Sequence, residues 1–336
     1  VLIENCKASL VVDLQVMAMP YRAFLQGACF SDGYWWLCSA QKDLSGAGGA
    51  ESNHISKFDS KGKYLGRMTL LGSGHGSAFS MRGDEVWIGW FDDTTESDRS
   101  IRRITWEKNA KAKRSDATLV NTGTQGTAYI VGGPGPADTD FALRRFRSDL
   151  SPDHDQHSLR SYSNPSGVRR RMICPQVKPD KDWEPNGDPI SNPSATYQGS
   201  MSWGGSVFAL YAGTRARPQW IAQYNWPGDS TERTVKPISK LDITNIPAGW
   251  KSWTGSHEPE GFCVYSGKLC FGVRFGPTSK RYFRVYMLDD KTGPPPVTPT
   301  PPWPPVIVPP KPPVDACAPI VVPHEPEPEP IEGEPQ

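Results

Sequence analysis

Two glutamates one residue apart, Glu258 and Glu260 in "HEPEG", and a histidine held between glycines, His75 in "GHG", have the most obvious capacity for chemistry in this sequence. Paired carboxylates are what glycosidic hydrolysis uses, one as acid and the other as base or nucleophile. Strand alternation would send Glu258 and Glu260 to the same side, whereas the intervening Pro259 is equally consistent with a turn at a strand end. Catalysis is therefore not expected from this pair. Trp183, Trp203, Trp220 and Trp253 lie near turns or strand ends, placed either to stack on sugar rings or to pack between sheets. Two basic runs, "KNAKAKR" at 108–114 and "VRRR" at 168–171 with Arg169, Arg170 and Arg171, read as solvated loops or as contacts for phosphates. There is no CxxC pair and no His/Cys cluster with zinc spacing.

The setting of His75 recurs. "LQGACFSDGYWWLCSA" from 25, "GHGSAFSMRGDEVWIGW" from 74, "TQGTAYIVGGPGPADTDFALRRF" from 124, "YQGSMSWGGSVFALYAG" from 197 and "PEGFCVYSGKLCFGVRFG" from 259 share one order. A polar residue is followed by glycine, a short strand, a turn and a second strand. The polar residues are Gln26, His75, Gln125, Gln198 and Glu260, and each is followed by the glycine of its unit. A further strand pattern follows in each unit: "HISKFD", "SIRRITW", "HSLRSYS", "QWIAQYNW" and "RYFRVYML". The first unit continues through "SKGK" into "YLGRMTL", which gives four strands.

Repetition at this period with four antiparallel strands per unit predicts an all-β, five-bladed propeller. Residues 1–290 are assigned to it and residues 291–336 to an extended C-terminal tail. The last unit lacks a fourth strand, and the N-terminal "ASLVVDLQV" is available to supply it and close the ring. The first strand of each blade then lines a central channel, where glycine lets backbones approach. Gln26, His75, Gln125, Gln198 and Glu260 are thereby predicted to form one ring at the channel mouth. The simplest role for such a ring is a water-filled, hydrogen-bonded network. The other is an ion or polar ligand, with His75 and Glu260 as candidate metal ligands; no other cofactor is expected.

A net charge of +1 argues against a protein that coats nucleic acid, and no apolar run is long enough to span a membrane. Mean hydropathy is −0.53, and 12 Trp with 11 Tyr suit strands better than helices. The chain opens on Val, and its first residues carry neither the basic region nor the cleavage site of a secretion signal. Seven cysteines leave at least one without a partner in the chain. Cys263 and Cys270 face each other across a Ser266-Gly267 turn, either as a cross-strand disulfide or as buried thiols. The last 46 residues hold 18 of the 34 prolines, which predicts polyproline II without a core. This tail reads as a spacer or as a segment that docks on a partner, with Trp303 and the "VIV" at 306–308 as anchors.

The combination of "ISKFDSKGKYLGRMTLLGSGHGSAF", "YQGSMSWGGSVFALYAG" and "HEPEGFCVYSGKLCFGVRFG" resembles the five-bladed propellers of phage receptor-binding tail proteins from Gram-positive hosts. Proteins of the teichoic-acid biosynthesis protein C type share that domain. The resemblance runs over about residues 13–288 and is weakest between 108 and 195. It implies a minor tail or receptor-binding protein of the virion, which attaches to a teichoic-acid-like glycopolymer of the host cell wall. It also implies that the proline-rich tail meets other tail proteins. The alternative is a secreted, wall-associated bacterial protein, with or without enzymatic action on such polymers.

Overall fold

A computed structural model of the chain describes residues 2–20, 24–41, 51–74, 79–90, 100–120, 128–131, 140–145, 154–161, 163–164, 167–175, 196–212, 219–244, 257–276 and 281–290. All of them fall within the compact unit Val1–Pro294. The proline-rich tail, Trp303 included, lies outside the described residues, as does the segment 176–195.

The described chain is an all-β propeller. After the N-terminal strand β1 (Cys6–Leu14), the first sheet holds β2 (Phe24–Ser31), β3 (Tyr34–Gln41), β4 (Ser52–Phe58) and β5 (Tyr64–Leu70). The next sheet is built from β6 (Phe79–Arg82), β7 (Glu85–Trp90), β8 (Ser100–Thr105) and, beyond the short β9 (Lys111–Ala112), β10 (Thr118–Val120). Two more follow: β11 (Ala128–Val131), β12 (Asp140–Arg145), β13 (His154–Ser161) and β14 (Val168–Pro175), then β15 (Thr196–Trp203), β16 (Ser206–Ala212), β17 (Trp220–Asn225) and β18 (Ser239–Asp242). The last sheet contains β19 (His257–Tyr265), β20 (Lys268–Phe275) and β21 (Tyr282–Asp290). Its outer place is taken by β1, which pairs antiparallel with β21 from Cys6↔Asp290 to Leu14↔Phe283. Of these sheets four have four strands, and the first gains a fifth.

The hairpins follow from local chemistry. Asp32-Gly33, Gly204-Gly205 and Ser266-Gly267 all have positive φ at both positions, the tight turn whose twist matches a right-twisted strand pair. The strands beyond these turns are rich in aromatic and β-branched residues, and their two faces pack against neighbouring sheets. Trp36, Ile55 and Met68 of the first sheet meet Met81, Val86 and Ile88 of the second. On the opposite face, Trp35, Leu37 and Phe58 pack with Leu14, Phe283 and Val285. With both faces covered, even polar residues of the first sheet are buried, among them Ser39, Ser52, Asn53, His54 and Ser56.

The inner strands touch in the order β2, β6, β11, β15, β19 and back to β2. Closure in this way leaves no inner edge open to another chain.

Both basic runs depart from the loops expected of them. Lys111 and Ala112 form β9, which adds to β5 in parallel with Thr69↔Lys111 and Leu70↔Ala112. Trp106 anchors the approach to β9 by donating its indole N–H to the Ile55 carbonyl at 2.9 Å. Pairing satisfies backbone groups at the edge of β5 that a loop would have left to water. Arg169, Arg170 and Arg171 belong to β14, the outer strand of its sheet, where Arg169 and Arg171 are exposed and Arg170 is half-buried.

Cys263 and Cys270 are register partners across β19 and β20, and both are free thiols. The hydrogen bond that the Cys263 thiol donates to Cys270, together with burial, pushes the Cys263 thiol well above its ordinary pKa. Burial likewise raises Cys29 and Cys38. Because the thiolate is the nucleophile, a disulfide-exchange reagent at pH 8 should react with Cys29, Cys38 and Cys263 at least about tenfold more slowly in folded protein than in urea. Rapid labelling of Cys263 or Cys270 in the folded protein would show that the pair is not buried.

Candidate functional site

The polar residue ahead of each glycine occupies a special backbone position. In β2 the pairing with β3 skips from Leu25 to Gly27, leaving Gln26 as the extra residue of a β-bulge. In β15 the shift between Tyr197 and Gly199 leaves Gln198 in the same role. In β19 the pairing breaks between Pro259 and Phe262, so that Glu260 and Gly261 form the irregularity. A bulge bends the strand and re-aims the side chain of the unpaired residue. It therefore turns Gln26, Gln198 and Glu260 away from the plain alternation of their strands.

The glycines explain how closely the three strands approach here. A Cβ on Gly261 would lie 3.3 Å from the Gly27 Cα, and one on Gly199 would lie 3.1 Å from the Gly261 Cα. The three inner strands thus pack backbone against backbone, closer than side chains permit. Gly261 also has φ +70°, a conformation that glycine adopts without strain.

Around this contact lies a buried network of opposite charges. Glu260 is 3% exposed and Gln26 6%, while Gln198 is half-buried. Gln198 donates its amide to Glu258, and Arg274 donates to the other oxygen of the same carboxylate. The Arg274 Nε stands 3.5 Å from Glu260 Oε1, so one guanidinium serves both glutamates. Arg281 is buried beside them, with its guanidinium 5.9 Å from the ring centre of Phe24. Burial raises the Glu260 carboxyl well above the usual range, against the opposing pull of Arg281. Burial and the neighbouring Arg281 lower Arg274 to about 10, which leaves it charged at neutral pH.

Of the two arrangements open at Pro259, the strand-end turn is not the one formed. Pro259 lies inside β19, pairing with Val273, on the innermost strand of the sheet, where a missing N–H is tolerated. Arg274, opposite Glu258 in register, is the partner that sequence reasoning missed. Its only signal was a cation in "FGVRFG", in a strand whose other residues after Lys268 are apolar or glycine.

Of the five predicted ring positions, Gln26, Gln198 and Glu260 each precede one of the glycines at which three inner strands approach one another; His75 and Gln125 lie outside the described residues. Among the described residues, no group of three or more His, Cys, Asp or Glu is arranged to hold a metal ion. Glu260, the described candidate ligand, instead faces Arg274 and Arg281. The tryptophans divide. Trp220 is buried at 8% exposure, so it packs inside and offers no sugar platform. Trp203 is half-buried ahead of the Gly204-Gly205 turn, its ring 6.4 Å from Phe208. Trp183 and Trp253 lie outside the described residues.

A second polar recess, of about 300 Å3, opens on the first sheet and is lined by Pro20, Gln41, His54, Arg67, Thr69, Leu71 and Lys111. No sequence signal singled it out, because its residues are spread over three strands and β9.

No protein-family model matches the chain, and no curated protein is similar to it. Among solved structures, the tail fiber of Staphylococcus aureus phage P68 superposes with a TM-score of 0.60 at 15% identity, over 85% of this chain and 53% of that one. The chain thus spans about half the length of that tail fiber. A thermostable family-43 glycoside hydrolase gives 0.46 at 9% identity, covering 81% of this chain and 91% of that one. The GH43_1 enzyme from Xanthomonas citri gives 0.43 at 10% identity, over 85% and 91%. These neighbours correct the expectation that the chain is not an enzyme. Glycoside hydrolases recur among the similar structures, so the architecture gives no ground for excluding catalysis. Their scores, below 0.5, assign no particular activity to this chain. The likeness to the phage tail fiber establishes the shared fold, an all-β propeller.

Proposed function

We propose that this chain is the receptor-binding propeller of a phage tail, with its sheets as five blades around one axis, and that it attaches the virion to a teichoic-acid-like glycopolymer of a Gram-positive cell wall. The observation that carries this reading is the superposition on the Staphylococcus aureus phage tail fiber over 85% of the chain. On this reading His75 and Gln125 complete the ring begun by Gln26, Gln198 and Glu260, and the proline-rich tail docks on another tail protein. The exposed Arg169 and Arg171 on β14 supply an outer cationic strip suited to an anionic polymer.

The test is retention of the purified chain on Gram-positive cell walls. Walls carrying their glycopolymer should hold the protein, and walls chemically stripped of it should not. Binding should weaken as salt rises, since contacts between exposed charges are screened. Equal retention on stripped walls would overturn the glycopolymer reading. Steady release of soluble fragments from intact walls would instead support the wall-acting enzyme.

A further inference from the structure

The recess on the first sheet is assembled by strand register. His54 of β4 sits opposite Ser39 of β3 and Thr69 of β5. Gln41 is two residues beyond Ser39 and Arg67 two residues before Thr69, so all four recess side chains share one face of the sheet. β9 then places Lys111 opposite Thr69.

His54 is the rigid centre of this face. It is 1% exposed, and both ring nitrogens are engaged at 2.9 Å, Nδ1 with Thr69 Oγ1 and Nε2 with Gln41 Oε1. An amide oxygen only accepts, so Nε2 carries the proton and Nδ1 accepts from the threonine hydroxyl. Burial and the charge of Arg67 lower the imidazole to about 4, so it is neutral at pH 7. Gln41 is held through its oxygen, which leaves its amide N–H groups unused. Among the described residues, neither the Arg67 guanidinium nor the Lys111 ammonium has an anionic partner, and no carboxylate lines the recess. Two like charges facing one polar cavity repel each other until an anion lies between them.

We propose that this recess binds a phosphate group. The guanidinium fork of Arg67 accommodates two phosphate oxygens, Lys111 a third, and the Gln41 amide is positioned to donate as well. The recess holds a phosphate together with a small polyol, so the source is either free phosphate or the phosphodiester of a polymer. Assigning the polymer rests on the function proposed above; the phosphate site itself does not.

The experiment titrates the full chain with inorganic phosphate and, separately, with glycerol 3-phosphate, by calorimetry and by the NMR signals of His54. Saturable binding is expected, with an upward shift of the His54 pKa as the anion offsets Arg67. Arg67→Gln with Lys111→Gln should weaken binding by about tenfold or more, the loss of one charge-assisted contact or better, with the fold checked by circular dichroism. Arg103→Gln, which removes an exposed cation of β8 on another sheet where it pairs with Glu85, should leave phosphate affinity unchanged. Absence of saturable binding to either probe, or equal affinity in the double variant, would overturn the proposal. Retention on cell walls, measured with the same proteins, separates the two readings. Phosphate binding without retention refutes the tail-receptor function and keeps the recess, whereas retention without phosphate binding does the reverse.

Discussion

Gly261→Ala is expected to lower folding stability by about 2–5 kcal/mol, seen as a fall in the midpoint of thermal or urea unfolding. Two independent costs combine. The backbone at Gly261 has φ +70°, where a Cβ is strained by roughly 1–2 kcal/mol. The same Cβ would stand 3.3 Å from the Gly27 Cα, a backbone atom that no rotamer change can move aside. Overpacking of this kind costs about 1–3 kcal/mol. Gly33, at φ +79° with open space around its Cβ, is the control: alanine there meets the strain and no contact. If Gly261→Ala and Gly33→Ala cost the same, the close approach of β2 and β19 has no energetic weight, and the account of the glycines fails.

Acidification supplies the second large effect. His54 has its pKa lowered from 6.5 to about 4 in the folded protein. Between those values the unfolded chain binds the proton and the folded one does not. Stability contributed by neutral His54 is therefore complete above about pH 6.5 and is lost progressively as the pH falls towards 4. The loss is about 3 kcal/mol, since a tenfold difference in proton affinity between the two states corresponds to roughly 1.4 kcal/mol. Glu260 acts in the opposite sense. Its raised pKa means that the folded state holds the proton longer, so its contribution declines as pH rises through the folded value. Urea midpoints of the wild type and of His54→Gln, compared from pH 7 to pH 4, isolate the histidine. The variant should show the shallower decline; an equal slope would mean that His54 is not held neutral.

The two effects expose different layers of the fold. Gly261 and Glu260 were legible as a pair because "PEG" repeats the order of "LQG" and "YQG", and a repeated motif points to an equivalent backbone site. What the repeat did not convey is that the site is a bulge. Hydrogen-bond register exists only between two strands, so no single strand shows where its pairing slips. His54 lay outside the repeated polar-glycine motif. Its importance comes from Gln41, Thr69 and Arg67, which reach it across β3 and β5. Arg274 escaped notice for the same reason, since it meets Glu258 only across the β19–β20 pair.

By itself the sequence determined the strands, the tight turns between them and the recurrence of the polar residue before glycine. Each of these depends on interactions between near neighbours: alternation within a strand, φ > 0 at Gly and Asp in a two-residue turn, and the apolar surface each unit must bury. "KNAKAKR" marks the limit of such reasoning. Charge and turn propensity describe it as a solvated loop, yet it lies along β5 as a parallel strand. Its hydrogen bonds are to residues about forty positions earlier, among them Thr69 to Ala110 at 2.9 Å and Leu71 to Ala112 at 2.8 Å. Tertiary structure alone decided which free backbone edge that segment would satisfy. In the same way it decided which charges would share a cavity. The pairing of Arg274 with two glutamates, and the convergence of Arg67 and Lys111 on one recess, follow from distances between strands that local sequence does not encode.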